Sequence, residues 1–189
     1  MEYDAFSQGI ELGGLRSRSE IRLLLCYLLK SINKGIPKRL LNDAIQQTGL
    51  ANYFEVNQAL VELLEGGNAR AEKAEGEEFF YVTSSGREAA ELMEAELPLT
   101  VREKAVAAAL NLLTVYRREK ENDIFITKTP QGYEVKIDVF ASAEKNRDDM
   151  VLSLTLYPSD GLQASMIKKG FLRDPAKLCE AVVSTLLEI

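Results

Sequence analysis

The segment from Ile36 to Thr83 reads IPKRLLNDAIQQTGLANYFEVNQALVELLEGGNARAEKAEGEEFFYVT. A short helical pattern breaks at Gly49, and a second helical pattern runs over Asn52 to Leu64. Two short extended runs follow this second helix, at residues 68–74 and 78–83. Two helices separated by a tight glycine-containing break, and followed directly by a hairpin, predict a helix-turn-helix with an attached wing.

Three S/T-x-x-E capping boxes predict the helices that surround this segment. Such a box satisfies two backbone N–H groups in the first turn, so it marks the place where a helix begins. The boxes start at Ser17, Ser85 and Thr100. They predict helices that run to about residues 34, 96 and 121.

The helical period changes to an alternating one at Asp123, and three predicted strands are followed by two short helices. The sequence therefore predicts an α+β fold. An N-terminal winged helix-turn-helix domain is expected over residues 1–98, and a long linking helix plus a small antiparallel-sheet and helix module over residues 99–189. The boundary is expected near Leu97-Pro98, or near Asn122 if the long helix packs on the first domain.

The charge is unevenly distributed along the chain. The net charge of −6 argues against nucleic acid as a partner. However, Arg16 to Leu64 holds seven bases and four acids, whereas Glu65 to Glu78 holds two bases and five acids. Residues 99–189 hold thirteen of each. The positive charge therefore belongs to the first helices and not to the wing, so we do not expect a strong general polyanion binder.

The second helix of such a motif presents its first residues to base edges in the major groove. Asparagine and glutamine can read adenine through two hydrogen bonds, which provide about 1–3 kcal/mol of discrimination. The helix carries no arginine or lysine, the commonest readers of guanine. The candidate base-reading residues are Asn52, Tyr53, Asn57 and Gln58. The candidate phosphate-binding residues are Arg16, Arg18, Lys38, Arg39, Arg70 and Lys73.

Four of these residues also have an ordinary structural explanation. Asn52 could simply cap the second helix, and Gln58 could be solvated. Arg16 and Arg18 flank a capping box and could be ordinary surface charge. The sequence therefore predicts the fold of this region more firmly than it predicts a contact between any one of these residues and DNA.

The composition offers little for catalysis, and we expect no enzymatic activity. The chain has no histidine, the residue type that most often serves as general base or metal ligand. No nucleophile elbow, phosphate-binding loop or paired-cysteine metal motif occurs, so no cofactor and no metal are expected. Asp148 and Asp149 lie in a predicted loop, where carboxylates are more often solvated than bound to a metal.

Several features predict a cytoplasmic protein. Cys26 and Cys179 stand far apart without a ligand cluster around them, which predicts free thiols in a reducing compartment. The longest apolar run, Leu23 to Leu29, is too short to span a bilayer, so no membrane partner is expected. The N-terminus lacks the basic start of a secretory signal.

Long strings of this sequence resemble a bacterial family, the domain of unknown function 4364 family of winged-helix regulators. The matching strings include GGLRSRSEIR at 13–22, GLANYFEVNQAL at 49–60, VREKA at 101–105 and FLRDP at 171–175. The resemblance implies a winged-helix N-terminal half in a cytoplasmic bacterial protein, and it implies no ligand or catalytic residue. The segment YVTSSGRE at 81–88 also resembles the exit from the wing in padR-like and marR-like regulators, which usually dimerise through helices outside the winged core.

Together these features favour a homodimeric, DNA-binding transcriptional regulator whose partner is double-stranded DNA. The alternative is a winged helix that binds protein instead of DNA, which the acidic wing and the base-poor recognition helix favour. An exposed apolar or acidic surface over that helix would indicate protein binding. The C-terminal module could bind a small-molecule effector, with Tyr133, Tyr157 and Phe171 lining a pocket, or could serve only for assembly, which its plain core alternation favours.

Overall fold

The computed structural model describes residues 14–15, 17–142 and 145–187. These residues form seven α-helices and two three-stranded antiparallel sheets, so the chain is a mixed α+β protein. The chain divides into two compact units between Leu113 and Thr114, inside the longest helix. The division lies between the two boundary positions that were predicted from the sequence.

Each unit combines helices with one sheet. The first unit contains α1 (Arg18–Ile32), β1 (Ile36–Pro37), α2 (Lys38–Gln47), α3 (Tyr53–Glu65), β2 (Ala69–Ala74), β3 (Glu77–Val82), α4 (Ser84–Met93) and the first part of α5 (Leu99–Glu121). The second contains the rest of α5, β4 (Asp123–Thr129), β5 (Gly132–Phe140), β6 (Met150–Leu156), α6 (Gly161–Arg173) and α7 (Pro175–Leu187). All of these elements except β1 were predicted from the sequence.

The capping box predicted at the start of α1 is confirmed. Ser17 Oγ accepts the N–H of Glu20 at 3.2 Å, and the Glu20 carboxylate accepts the N–H of Ser17 at 2.9 Å. The box predicted at the start of α5 is wrong. That helix begins at Leu99, so Thr100 lies inside its first turn instead of preceding it.

The start of α4 also differs from its prediction. Thr83, not Ser85, is the capping residue, and its Oγ1 accepts the N–H of Gly86 at 3.2 Å. The Ser85 hydroxyl instead donates to the carbonyl oxygen of Gly67 at 2.9 Å. The cap therefore lies two residues earlier than predicted, because the hydroxyls of Thr83 and Ser85 bind the carbonyl oxygen of Gly67 in the connection between α3 and β2, a contact that local sequence does not predict.

The first sheet has the strand order β1-β3-β2, and both pairs are antiparallel. β2 and β3 form a hairpin through the two residues Glu75 and Gly76, which have φ values of 52° and 79°. Positive φ at both central positions matches the twist of the strands and favours glycine. On the other side of β3, Ile36 of the short β1 pairs with Phe80.

A single apolar core holds the first unit together. Burying each large apolar side chain contributes about 1.5–3 kcal/mol. The amphipathic stripe predicted for α1 is buried, and Phe80 of β3 packs among the same residues at 1% exposure. The largest fully buried side chains are Phe80, Ile21, Leu24, Leu25, Leu28, Leu29, Ile36, Leu41, Ile45, Leu60, Leu63 and Leu97.

The second sheet has the order β4-β5-β6, and one of its faces carries the core of the second unit. Ile137 at the centre of β5 pairs with Ile124 on β4 and with Leu154 on β6, which places these three side chains on one face. The buried residues of this core are Val135, Ile137 and Val139 from β5, with Ala164, Phe171 and Leu172 from α6.

One charged residue of the second sheet is buried. Asp138 lies between Ile137 and Val139 on β5, so its side chain points to the opposite face. Ser153 Oγ donates to Asp138 Oδ1 at 2.5 Å, and Lys136 Nζ lies 2.8 Å from Oδ2. Burial, the largest single influence, acts to raise the pKa of Asp138, but the bonds from Lys136 and Ser153 outweigh it and leave that pKa lowered.

Replacing Asp138 by asparagine should lower the free energy of unfolding by about 1 kcal/mol at pH 7, because a charge-assisted hydrogen bond is lost. Since the folded pKa is depressed, this contribution is complete above the ordinary pKa of aspartate and disappears as the pH falls through the folded pKa. Urea unfolding of both proteins at several pH values measures the effect. A stability difference that stays constant in acid would contradict the proposed role of the carboxylate.

Candidate functional site

The turn between α2 and α3 sets the direction of α3. Thr48 is buried at the end of α2, and its hydroxyl lies 2.8 Å from the carbonyl oxygen of Ala44 and 2.9 Å from that of Ile45. Gly49 follows with φ of 63°, a conformation that glycine adopts without a steric penalty. Leu50 is buried just beyond it. The break predicted at Gly49 is therefore a tight turn anchored at both ends.

α3 has one buried face and one exposed face. The buried face consists of Val56, Ala59, Leu60 and Leu63. The exposed face carries Tyr53, Phe54, Gln58 and Val61. Phe54 is 80% exposed, and its ring meets the ring of Tyr53 edge to face with centroids 5.8 Å apart. Aromatic rings left in water on one helix face are typical of a contact surface.

Phe54 is not among the candidate base-reading residues predicted from the sequence. Phe54 and Tyr53 are adjacent in sequence, so the pair shows no helical spacing. An aromatic residue on a helix also usually belongs to the core. The signal that could have found it is the helical wheel, because Phe54 falls on the same face as Gln58 and Val61, opposite the buried Val56 and Leu63. The exposed face is thus more apolar than the candidate residues from the sequence suggested.

Two of the four candidate base-reading residues bind the protein itself. Asn52 Oδ1 accepts the N–H of Glu55 at 3.0 Å, so Asn52 caps α3. Asn57 Nδ2 donates to Asn42 Oδ1 at 3.0 Å and to the carbonyl oxygen of Tyr53 at 2.8 Å, which occupies both of its N–H groups. Tyr53 remains half-exposed with its ring at the surface.

Gln58 is the one candidate amide that keeps a largely free donor. Its Nε2 lies 3.4 Å from Glu62 Oε1, a long contact for a hydrogen bond, and its side chain is exposed. Both hydrogen-bonding groups that adenine recognition needs are therefore available at this position. Of the four candidate base-reading residues, Gln58 and Tyr53 are therefore the two whose side chains are exposed.

Acidic residues of α3 bind the basic start of α1. Arg18 Nε lies 2.9 Å from Glu55 Oε2, and Arg22 Nη1 lies 3.3 Å from Glu62 Oε2. The hydrogen bond and the charge of Glu55 raise the pKa of Arg18. These pairs link the two helices, so the positive charge predicted near α3 is opposed by carboxylates from α3 itself.

The other candidate phosphate-binding residues that the structure describes lie at the surface, most of them beside a carboxylate. The ion pairs are Lys38 with Glu78 at 3.9 Å, Arg39 with Asp43 at 3.5 Å, and Arg70 with Glu72. The Arg70 guanidinium also lies 4.3 Å from the centroid of the Tyr81 ring. Lys73 is exposed near the tip of the hairpin, and Arg16 lies outside the described residues.

The surface around α3 is therefore nearly neutral, not strongly basic. Exposed ion pairs of this kind contribute about 0–1 kcal/mol each, because water and salt screen them. A phosphate group can replace a carboxylate in such a pair at little cost, since a charge-assisted hydrogen bond is exchanged for another. The arrangement permits contact with a polyanion, but it does not attract one from a distance.

Both cysteines are free thiols in the part of the chain that the structure describes. Cys26 is buried in α1, and burial raises the pKa of its thiol to about 11, which suppresses the nucleophilic thiolate. Among the described residues, no group of three or more cysteine or acidic side chains is arranged to hold a metal ion. No described helix has the length and apolar character needed to cross a membrane.

The second unit contains two open clefts. One, of about 460 Å³, lies beside the end of α5 and includes Arg118, Asn122 and Cys179. The other, of about 410 Å³, lies between α6, α7 and the sheet. Of the three aromatic residues predicted for a pocket, Phe171 lines this second cleft, whereas Tyr133 packs on the core and Tyr157 is 71% exposed.

Comparison with known families shows the family to which the chain belongs. The model of the family described as Domain of unknown function (DUF4364) matches residues 21–186, which include most of both compact units. Comparison with curated proteins and with solved structures gave no match. The family resemblance predicted from the sequence is thereby confirmed. The chain belongs to the Domain of unknown function (DUF4364) family.

Proposed function

We propose that the first unit is a winged helix-turn-helix domain and that the protein is a non-catalytic, DNA-binding transcriptional regulator of the cytoplasm. The order α1-β1-α2-α3-β2-β3, with sheet order β1-β3-β2, supports the winged-helix assignment. The observation that carries the DNA proposal is the face of α3 bearing Phe54 and Gln58, which no other element of the first unit covers.

In this proposal the first two turns of α3 enter the major groove. Gln58 reads adenine through its amide, and the ring of Phe54 contacts the methyl group of thymine. Because α3 carries no arginine or lysine, guanine would not be read from this helix. The preferred sites are therefore expected to be rich in A·T pairs at the positions that α3 touches.

Most of the phosphate contacts would come from residues that now face carboxylates. Lys38 and Arg39 begin α2, and Arg70 and Lys73 lie on the hairpin. The contacts from Lys38, Arg39 and Arg70 would each displace a weak surface pair, and every phosphate contact would release counterions from the DNA. We also propose that the protein acts as a homodimer, because two recognition helices about 34 Å apart would read half-sites one helical turn apart.

Replacing Phe54 by alanine should weaken binding to a selected DNA site about tenfold, because an apolar contact with the base edge is lost. The site would be selected from a random duplex pool, and affinity measured by fluorescence anisotropy at several salt concentrations. Leu92→Ala is the matched control, since Leu92 is 85% exposed but lies on α4.

Lys38→Ala should reduce the slope of log affinity against log salt by about 1, because one phosphate contact is lost. Absence of any binding at low salt would contradict the DNA proposal.

A second candidate function rests on the same face of α3. Tyr53, Phe54 and Val61 expose apolar surface, and the bases beside them are paired with acids. This combination also suits an apolar segment of a protein partner, because aromatic residues are enriched at the centres of protein interfaces. A photo-crosslinking residue at position 61 would test it. Protein adducts that vanish with Phe54→Ala, together with no DNA binding, would favour this candidate.

A further inference from the structure

The helix-facing side of the second sheet is incompletely covered. Ile137 is 1% exposed, but its cross-strand partner Leu154 on β6 is only half-buried, and so is Leu156 next to it on that face. α7 is largely apolar, yet none of its residues is buried. Apolar side chains at these positions would normally be closed off from water, so a space remains where the core should continue.

This space is the cleft of about 410 Å³ between α6, α7 and strands β5 and β6. Its volume falls within the roughly 300–1,000 Å³ of small-molecule sites. The side chains that form its floor and walls are apolar: Ile137, Leu154, Leu156, Ile167, Phe171 and Leu178. Gly170 also lines it, and a Cβ placed there would meet nothing within 4 Å, so α6 leaves room on this side.

The rim of the cleft carries an excess of positive charge. Arg173, Asp174 and Lys177 lie where α6 passes into α7. The Asp174 carboxylate accepts the N–H of Lys177 at 3.2 Å and so belongs to the start of α7. The side chains of Arg173 and Lys177 are exposed, and neither makes an ion pair in the described part of the chain. Two free cations therefore stand beside an apolar cavity.

We propose that this cleft binds a small amphipathic carboxylate, such as a straight acyl chain of about eight to twelve carbons. The chain would lie over Leu154, Leu156 and Leu178, and the carboxylate would meet Arg173 and Lys177. A guanidinium can bind a carboxylate through two parallel hydrogen bonds, which fixes the orientation of the ligand. The apolar part supplies affinity in proportion to its buried length, so chain length becomes a specificity determinant.

Isothermal titration calorimetry of the full chain with octanoate, decanoate and decanol tests the proposal. Decanoate should bind about tenfold more tightly than octanoate, because two more methylene groups are buried. It should also bind about tenfold more tightly than decanol, which lacks the charge that Arg173 and Lys177 recognise. Equal affinity for decanoate and decanol, or no binding of decanoate at millimolar concentration, would overturn the proposal.

Variants on α6 and α7 distinguish binding of decanoate in this cleft from nonspecific adsorption to exposed apolar side chains. Gly170→Leu should abolish decanoate binding by filling the cleft, and because the space is open the melting temperature should not fall. The Arg173→Gln, Lys177→Gln double variant should weaken decanoate about tenfold and leave decanol unchanged. Lys169→Gln is the control, since this exposed lysine of α6 does not line the cleft. Decanoate binding that survives in Gly170→Leu would overturn the proposal.

The titration contains no DNA, so its outcome is independent of the proposed DNA-binding function. The same variants also reveal whether a second copy of the chain covers the cleft. A wild-type dimer that Gly170→Leu converts to a monomer in sedimentation, together with no decanoate binding, would overturn the proposal and identify the cleft as a self-association surface.

Discussion

Replacing Phe80 by alanine should lower the free energy of unfolding of the first unit by about 3–5 kcal/mol, the largest effect expected from any single truncation in this protein. Phe80 lies at the centre of β3, pairs with Ile36 on one side and Ala71 on the other, and is 1% exposed. The strand that carries it packs against α1 and α2. Alanine would leave a cavity that the surrounding side chains can fill only in part.

Urea unfolding followed by far-UV circular dichroism measures this change, and hydrogen exchange of the β3 amides assigns it to the first unit. Phe54→Ala is the matched control, because the same ring is removed from a position that is 80% exposed. We expect that control to change stability by less than about 0.5 kcal/mol. Similar losses for the two variants would mean that Phe80 is not a core residue.

Replacing Gly86 by alanine should destabilise the first unit by about 3 kcal/mol, although only one methyl group is added. An added Cβ would lie 1.9 Å from the carbonyl oxygen of Asn68. That carbonyl accepts the N–H of Thr83 at 3.1 Å, so it cannot withdraw without breaking the bond that joins the hairpin to α4. Gly86 has an ordinary helical conformation, and the requirement for glycine comes entirely from this close approach.

Gly170→Ala is the control for this second prediction. Gly170 is also inside a helix, but an added Cβ there would meet nothing within 4 Å. Because alanine has a higher helix propensity than glycine, we expect Gly170→Ala to raise stability by about 0.5–1 kcal/mol. Thermal unfolding of both variants compares the two sites. A Gly86→Ala protein as stable as the wild type would contradict the close approach of α4 to the carbonyl group of Asn68.

The ion pairs of the first unit change how its charge is interpreted. Counting residues along the chain gives the first helices an excess of bases. In the folded protein, however, Arg18 and Arg22 face Glu55 and Glu62 across 37 or more positions of sequence. Contact with DNA would therefore be short-ranged and dependent on shape, with little electrostatic steering. Phosphate contacts would still release counterions, so DNA binding would weaken with salt whereas binding of an apolar protein segment would not, and a measurement at several salt concentrations therefore discriminates between the two proposed functions.

The sequence predicted those features that depend on neighbouring residues. The stripe of α1 and the alternation of β5 repeat with the period of their own element, the break at Gly49 follows from one glycine, and the structure confirms all three. The two-residue β1 was missed because it is too short to show a period and forms only by pairing with β3. The start of α4 was misplaced for a related reason, since the choice between Thr83 and Ser85 depends on the loop at Gly67.

By itself, then, the sequence determined the order and kind of nearly every helix and strand, because hydrophobic period, caps and turn residues act over a few positions. Which side chains remain available to bind a partner or a ligand depends on the tertiary structure. In the folded protein, Asn57 donates a hydrogen bond to Asn42 and Arg18 forms an ion pair with Glu55. Phe54 is exposed, and the cleft beside Leu154 is open. These outcomes depend on residues far apart in the chain, whose distances are set only when the elements pack.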